Sequence, residues 1–465
     1  MAAAESWDLS GTVMSTKPFR DLRMRVHSLK LASVVMLGLG LLALGLLPDP
    51  AAAQGSLAPA WIRTFGGAGN DQGWGIDVGP GGEVYIAGFV QGQGLDVFLA
   101  RIDAAGNPVW QTTWTRSFDQ KAFEVRYANG FLYVGGVAAR SGSPASQDML
   151  LARVWASNGT TDWEATWNGP ADQYDEVDGI VVEDGTVFAS GWIDVRLDYS
   201  EGDLGLVAFT VDGAYVRHTQ WGGPGREEGN GALASDGRNL YVSGIVDGVN
   251  LFVGGDAVVV AFNETTFAEV WNATWGGAGV DDAYGIALHG NRLYATGLTT
   301  SFGGDRIFLL TLDTNGTILR NETWGGSAAE AARAVGVSPN GSAVTVAGRT
   351  SSYGNGSFDV VLLEFDGAGA FQRYRTWGAG ASDVSHGIVV GLDAVYVVGE
   401  SASVGQGGTD LFAMKVGPGG AAGPTGPPSS PGSFAAVVIL AVVAVIAAVI
   451  ILWARSRRRA APPPR

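Results

Sequence analysis

Seven acidic side chains recur at nearly one spacing along this 465-residue chain. Asp71, Glu227, Asp281, Glu330 and Asp383 each stand six residues after a Phe or Trp, and Asp119 and Asp172 stand five after theirs. Carboxylates gathered around one mouth would suit Ca²⁺, a hard cation that takes six to eight oxygen ligands, or a basic partner. The same residues suit a structural role, in which each accepts backbone N–H bonds within its own Gly-rich turn. A feature present in every repeat is more often architectural than catalytic, because a site is usually asymmetric, and clustered acids are only probabilistic evidence of a site. Both roles stay open, and Ca²⁺ is the one cofactor these residues suggest.

Other chemistry finds little support. Beyond the first 53 residues the histidines are His218, His289 and His386, far apart and matching no zinc spacing. The chain has no cysteine, which removes thiol nucleophiles and disulfides together. No G-x-S-x-G elbow stands against a plausible triad. Glycine-rich pieces such as GGAGNDQG recur throughout and read as turns. A glycosidase needs two suitably separated carboxylates, and the spacing singles out no pair. No catalytic residue is assigned.

The elements that must position the acids follow from the repeat. Aromatic anchors end a short strand at Phe65, Trp114, Trp167, Trp221, Trp275, Trp324 and Trp377, at intervals of 49, 53, 54, 54, 49 and 53 residues. A second column is the glycine closing an apolar run: Gly88, Gly136, Gly191, Gly244, Gly297, Gly348 and Gly399. A third is an aspartate before another apolar run: Asp96, Asp148, Asp203, Asp256, Asp305, Asp359 and Asp410, to which a turn or blade-packing role is assigned. A period near fifty marks propeller blades or a solenoid. In the unit ending at Trp324 the spacing predicts strands over 284–288, 292–297, 306–312 and 318–324, joined by residues that suit turns. The third strand, IFLLTL, is almost wholly apolar, as a strand covered on both faces should be. Four-stranded units of this length and number predict an all-β, seven-bladed β-propeller over 54–416. The segment 60–65 matches only a fourth strand, and the last unit has only three. The N-terminal strand is therefore expected to complete the final blade and close the ring, leaving no open edge at the seam.

The ends carry an address. Residues 1–23 are polar, and Met24 is the expected start. Arg25 and Lys30 precede the apolar run Leu31–Leu47 and the small residues Ala51–Ala53, the parts of a signal peptide cleaved after Ala53. Residues 417–433 form a Gly/Pro/Ser linker. Residues 434–453 are apolar and uncharged, long enough for a transmembrane helix. The basic tail 454–465 places the C-terminus in the cytoplasm and the propeller outside. The chain has 29 Lys+Arg and 45 Asp+Glu; with the ends removed, 54–433 carries a net charge of −22. Such a surface disfavours nucleic acid and anionic lipid. Candidate N-glycosylation sequons start at Asn158, Asn263, Asn272, Asn315, Asn321, Asn340 and Asn355. Four of these precede glycine, where Asn-Gly is also good turn chemistry.

The repeat W-GG-x₃-[DE]…GI-x-V…[VL]Y-x₂-G…D…D-x-x-G…W resembles the SBBP-type β-propeller repeat of bacterial and archaeal exported proteins. Asp281, Gly285, Tyr294, Gly297, Asp305 and Trp324 carry the match in one unit. The resemblance implies an extracellular, commonly surface-attached propeller and transfers no catalytic residue. The stretch from Asp103 to Trp110 is similar to the tryptophan-docking motif of pyrroloquinoline-quinone dehydrogenases, with Arg217, Arg320 and Arg373 replacing that Trp in other units. The reading is a single-span, membrane-anchored extracellular module that recognises a protein or glycan ligand, or acts as a surface scaffold. The alternative is an extracellular enzyme, a quinoprotein-type dehydrogenase or a glycan-acting hydrolase.

Overall fold

A computed structural model describes residues 53–417 apart from 142–146, 196–201, 224–225, 230–231 and 249–253. The signal peptide, most of the linker, the transmembrane segment and the tail expected from the sequence lie outside the described residues. Among the described residues, no helix is long and apolar enough to cross a membrane.

The first two strands are β1, Ala53–Ser56, and β2, Pro59–Phe65. The chain then builds seven antiparallel sheets in sequence order, each a blade whose strands are named a to d here. The blades begin at Gln72, Gln120, Tyr174, Arg226, Asp281, Glu330 and Asp383. Strand a of each blade touches strand a of the next around a closed circuit, so these strands form the inner ring. In blade 5 the strands are Asp281–His289, Arg292–Thr299, Arg306–Asp313 and Ile318–Trp324. Strand a thus starts three residues earlier than the apolar pattern indicates, because Asp281 and Asp282 already pair with Thr299 and Leu298.

Closure follows the sequence argument. The strand β2 pairs antiparallel with Asp410–Val416 and supplies strand d of blade 7. The parallel strand β1 was not expected: it adds a fifth strand to blade 6, with Ala53 opposite Arg373 and Ser56 opposite Thr376. Leu57 follows it into the core, its N–H donating to Thr376 O at 2.9 Å.

Strands b and c are apolar because both their faces are covered. In blade 1, Tyr85, Ala87, Val97 and Leu99 pack toward blade 2 with Leu132, Val134 and Leu150. The alternate residues Val84, Ile86, Phe98 and Ala100 pack toward blade 7 with Tyr396, Val398 and Leu411. The side-chain alternation of a strand thus fills two interfaces at once. Outer strands are tied by their tryptophans. Trp110, Trp163 and Trp271 donate from Nε1 to Ala156 O, Val211 O and Thr314 O of the following blade, at 3.1, 2.9 and 3.0 Å. Each ring lies on a turn glycine, Gly159, Gly213 and Gly316, leaving no room for a Cβ. Arg217 takes the same place in blade 3, donating to the carbonyls of Glu264 and Thr265 over the Phe267 ring.

Candidate functional site

The acid column lies where strand d of one blade leads into strand a of the next. Asp71 accepts Gly67 N–H and Gln91 N–H, both at 2.7 Å. Asp281 accepts Gly277 N–H at 2.8 Å, Ser301 Oγ–H at 2.5 Å and the Thr299 hydroxyl. Glu330 accepts Gly326 N–H, Ser352 N–H and the Thr350 hydroxyl. Asp383 accepts Ala379 N–H and the hydroxyls of Ser401 and Ser403, and Glu227 accepts Gly223 N–H. All five acids are buried. Their oxygens are engaged in their own turns, and among the described residues no group of three or more acids and histidines is arranged to hold a metal ion.

Asp119 and Asp172 do not occupy this column. Strand pairing places Gln120 and Asp175 there, each two residues before the one opposite the column glycines Gly136 and Gly191. At the first of these junctions the spacing is the usual six residues, Trp114 to Gln120, but the column residue is not an acid. At the second the loop is longer, eight residues from Trp167 to Asp175, so a count from the anchor misleads. Asp175 accepts Gly169 N–H and Asp194 N–H and is fully buried. Burial pushes its carboxyl up to about 7, against those two bonds. Asp172 is exposed at φ 58°, bonded to Asn168 and ion-paired with Arg140 at 2.6 Å. Asp119 is exposed and accepts Leu95 N–H at 3.0 Å.

At four junctions a strand-c aspartate meets the strand-a acid. The glycine after the anchor is clamped between the two carboxylates: a Cβ at Gly66, Gly222, Gly276 or Gly378 would meet both at 3.0 Å or less. Burial raises the carboxyls of Asp203, Asp256 and Asp410, and the facing acids Glu227, Asp281 and Asp71 raise them further. At the junction of blades 1 and 2 the residue after the anchor is Thr115. Its Cβ is incompatible with the clamp, the buried acid is replaced by Gln120, and a cleft of ≈ 650 Å³ opens between Asp96, Arg116, Phe118, Asp119 and Gln147.

A second set of residues was not visible as a column. Opposite the glycine of strand b, strand a carries a bulge in blades 1, 2, 3, 5, 6 and 7. The glycine is required there, because a Cβ would collide with the strand-a carbonyl. Bulges re-aim a side chain. Here the bulge residues Trp74, Phe123, Asp178, Tyr284, Arg333 and His386 all line the central channel. The sequence signal is the varied residue just before Gly-Ile, as in Trp74, Asp178, Tyr284 and His386.

These side chains plug the channel. Trp74 stacks on His386 with centroids 4.1 Å apart and 8° between planes, and meets Phe123 edge-on at 5.2 Å. Arg333 lies over the rings of Tyr284 and Trp74, at 4.4 and 5.6 Å. The remaining cavity is ≈ 100 Å³. Burial holds His386 below the ordinary imidazole range, and its Nε2 lies 3.6 Å from Glu400. Burial raises Asp178 well above the carboxylate range, helped by Glu176, Glu228 and Glu124 and opposed by Arg333. Glu124 stands where blades 1, 3, 5 and 7 have glycine, and burial pushes it up to about 7 despite Arg126 at 3.6 Å.

The sequons fall on turns, loops or outer strands, except Asn263, which ends strand c of blade 4. Asn158, Asn272, Asn315, Asn321, Asn340 and Asn355 are exposed. Asn263 is half-buried, its Oδ1 accepting both N–H and O–H of Thr266.

No protein-family model matches the chain, and no curated protein matches it. Among solved structures it is similar to the WD40 domain of Neurospora crassa Pan2, at 10% identity over 79% of this chain and 99% of that one, with a TM-score of 0.47. It is also similar to two quinohemoprotein alcohol dehydrogenases. That of Comamonas testosteroni gives 12% identity, 80% and 78% coverage and a TM-score of 0.42. ADHIIG of Pseudomonas putida HK5 gives 13%, 81%, 78% and 0.41. At these identities the likeness concerns the propeller fold alone.

Proposed function

We propose that the chain is an exported, single-span surface protein of the SBBP-repeat type, whose propeller recognises an extracellular ligand on the face carrying the blade junctions. The observation that carries this reading is an asymmetry. The channel is filled by its own side chains and the acid column is spent on turns, yet at the junction of blades 1 and 2, where Thr115 and Gln120 stand in place of the clamped glycine and the buried acid, a cleft opens. Recognition needs such a departure from symmetry, whereas a purely structural ring does not. The signal peptide, the C-terminal span with its basic flank and the seven sequons support the exported address.

The quinoprotein alternative fits less well. A cofactor pocket is typically of about 300–1,000 Å³, against ≈ 100 Å³ in the channel, and no set of three metal-ligating side chains converges among the described residues. The docking tryptophans tie blade to blade and are explained without a cofactor.

Site-specific photo-crosslinking on intact cells tests the reading. Crosslinker at Phe118 or Phe302, on the junction face, should capture an extracellular component. Crosslinker at Val109 or Val270, exposed on outer strands, should not. Equal capture from both sets, or none from either, refutes it.

A further inference from the structure

Resting on that reading, we propose that the cleft between blades 1 and 2 is a binding site for a neutral oligosaccharide. At this junction Thr115 stands where Gly66, Gly222, Gly276 and Gly378 leave no room for a Cβ, and Gln120 stands where four other junctions of that kind carry a buried acid. The cleft's ≈ 650 Å³ falls within the range of small-molecule sites, about 300–1,000 Å³.

The lining selects the ligand class. Gln93 and Gln147 each offer an acceptor oxygen and two donor hydrogens, and Thr115 and Ser117 offer hydroxyls that donate and accept. A sugar hydroxyl also does both, so it can satisfy such a surface without carrying charge into it. Phe118 is 44% exposed and contacts no other ring among the described residues, which leaves it open to the C–H face of a sugar ring. The charges argue against the rivals. An anion would meet Asp96 and Asp119, and a polycation would find one of these two carboxylates, Asp119, already engaged. Arg116 is itself held by Glu164 at 2.5 Å, and Asp119 is held by Leu95 N–H at 3.0 Å. A hydroxyl-rich neutral ligand meets no repulsion from either sign.

The test uses the full-length protein in nanodiscs on an array of neutral glycans ending in hexose, N-acetylhexosamine or deoxyhexose, with deca-lysine as the polycation control. At least one glycan class should bind. Phe118→Ala should weaken it by about tenfold or more, the scale of a lost aromatic stack and its buried area. The double variant Thr115→Gly, Gln120→Asp rebuilds the clamped junction; it should abolish binding while melting no lower than the parent. Glycan binding unchanged by both variants overturns the location, and a silent array overturns the ligand class. Deca-lysine binding that is lost in Asp96→Asn also overturns the class. If the array is silent while crosslinker at Phe118 still captures a surface protein, the sugar inference falls and the recognition reading stands.

Discussion

Replacing Asp281 separates a turn clamp from a cation ring. The carboxylate is fully buried and takes three hydrogen bonds, from Gly277 N–H, Ser301 Oγ–H and the Thr299 hydroxyl. Hydrogen bonds to a charged group contribute about 1.5–3 kcal/mol each, and a buried donor left unpaired costs about 1–3 kcal/mol. Removing Asp281 also relieves the repulsion that helps raise Asp256, which offsets part of the loss. The net for Asp281→Ala is about 3–5 kcal/mol. Unfolding entropy of about 2.1 cal/mol/K per residue gives ~0.8 kcal/mol/K for a ring of this size, so the melting temperature should fall by about 4–6 °C. Asp119→Ala is the control. That side chain is exposed and holds one bond, so the fall should be about 1 °C or less. Scanning calorimetry reads both. Equal shifts, or a rise in Asp281→Ala, would refute the clamp and restore the acid as a site for an incoming charge.

Chelation follows the same logic: with the acid oxygens engaged in their turns, melts in EDTA and in millimolar Ca²⁺ should superimpose. A Ca²⁺-dependent rise would show a site that binds only the folded state. Stability should fall as pH rises from about 4.5 to 7 and level off above. Glu124 and Asp175 have folded pKa values near 7, above their unfolded values, so the folded state binds more protons across that window. Glu124→Gln should flatten the slope in a pH series of melts; an unchanged slope rejects Glu124 as a contributor. Trp271→Ala removes a docked indole and its bond to Thr314 O, and should cost about 2–4 kcal/mol by denaturant titration. Because the chain lacks cysteine, a single Leu392→Cys gives a clean test of topology. An impermeant maleimide should label it on intact cells; labelling only after lysis would reverse the proposed orientation.

Much of the ring was legible because its physics is local. The Trp, Gly and Asp columns repeat with the blade, and the apolar third strand announced burial on both faces. The orphan segment 60–65 also foretold closure, since an unpaired edge needs a partner. The parallel strand 53–56 was hidden because its sequence, AQGS, has neither alternation nor apolar bulk, and its pairing depends on an edge over 300 residues away. The channel residues escaped for a different reason. They sit on bulges, where one extra residue breaks the two-residue period that pattern reading relies on. They also share no residue type.

The sequence by itself determined that the chain repeats, how many blades it makes, and that an acid would follow each anchor, because these depend on residue type and near-neighbour spacing. Only the tertiary structure decided what the acids do. At four junctions the glycine beside the anchor is held between two carboxylates, and hydroxyls from strand b or the loop after it turn toward several of the acids. At the junction of blades 1 and 2, where Thr115 stands in the place of such a glycine, a cleft lies instead. A Cβ matters only against what packs on it, and those atoms come from parts of the chain that meet once the ring has closed.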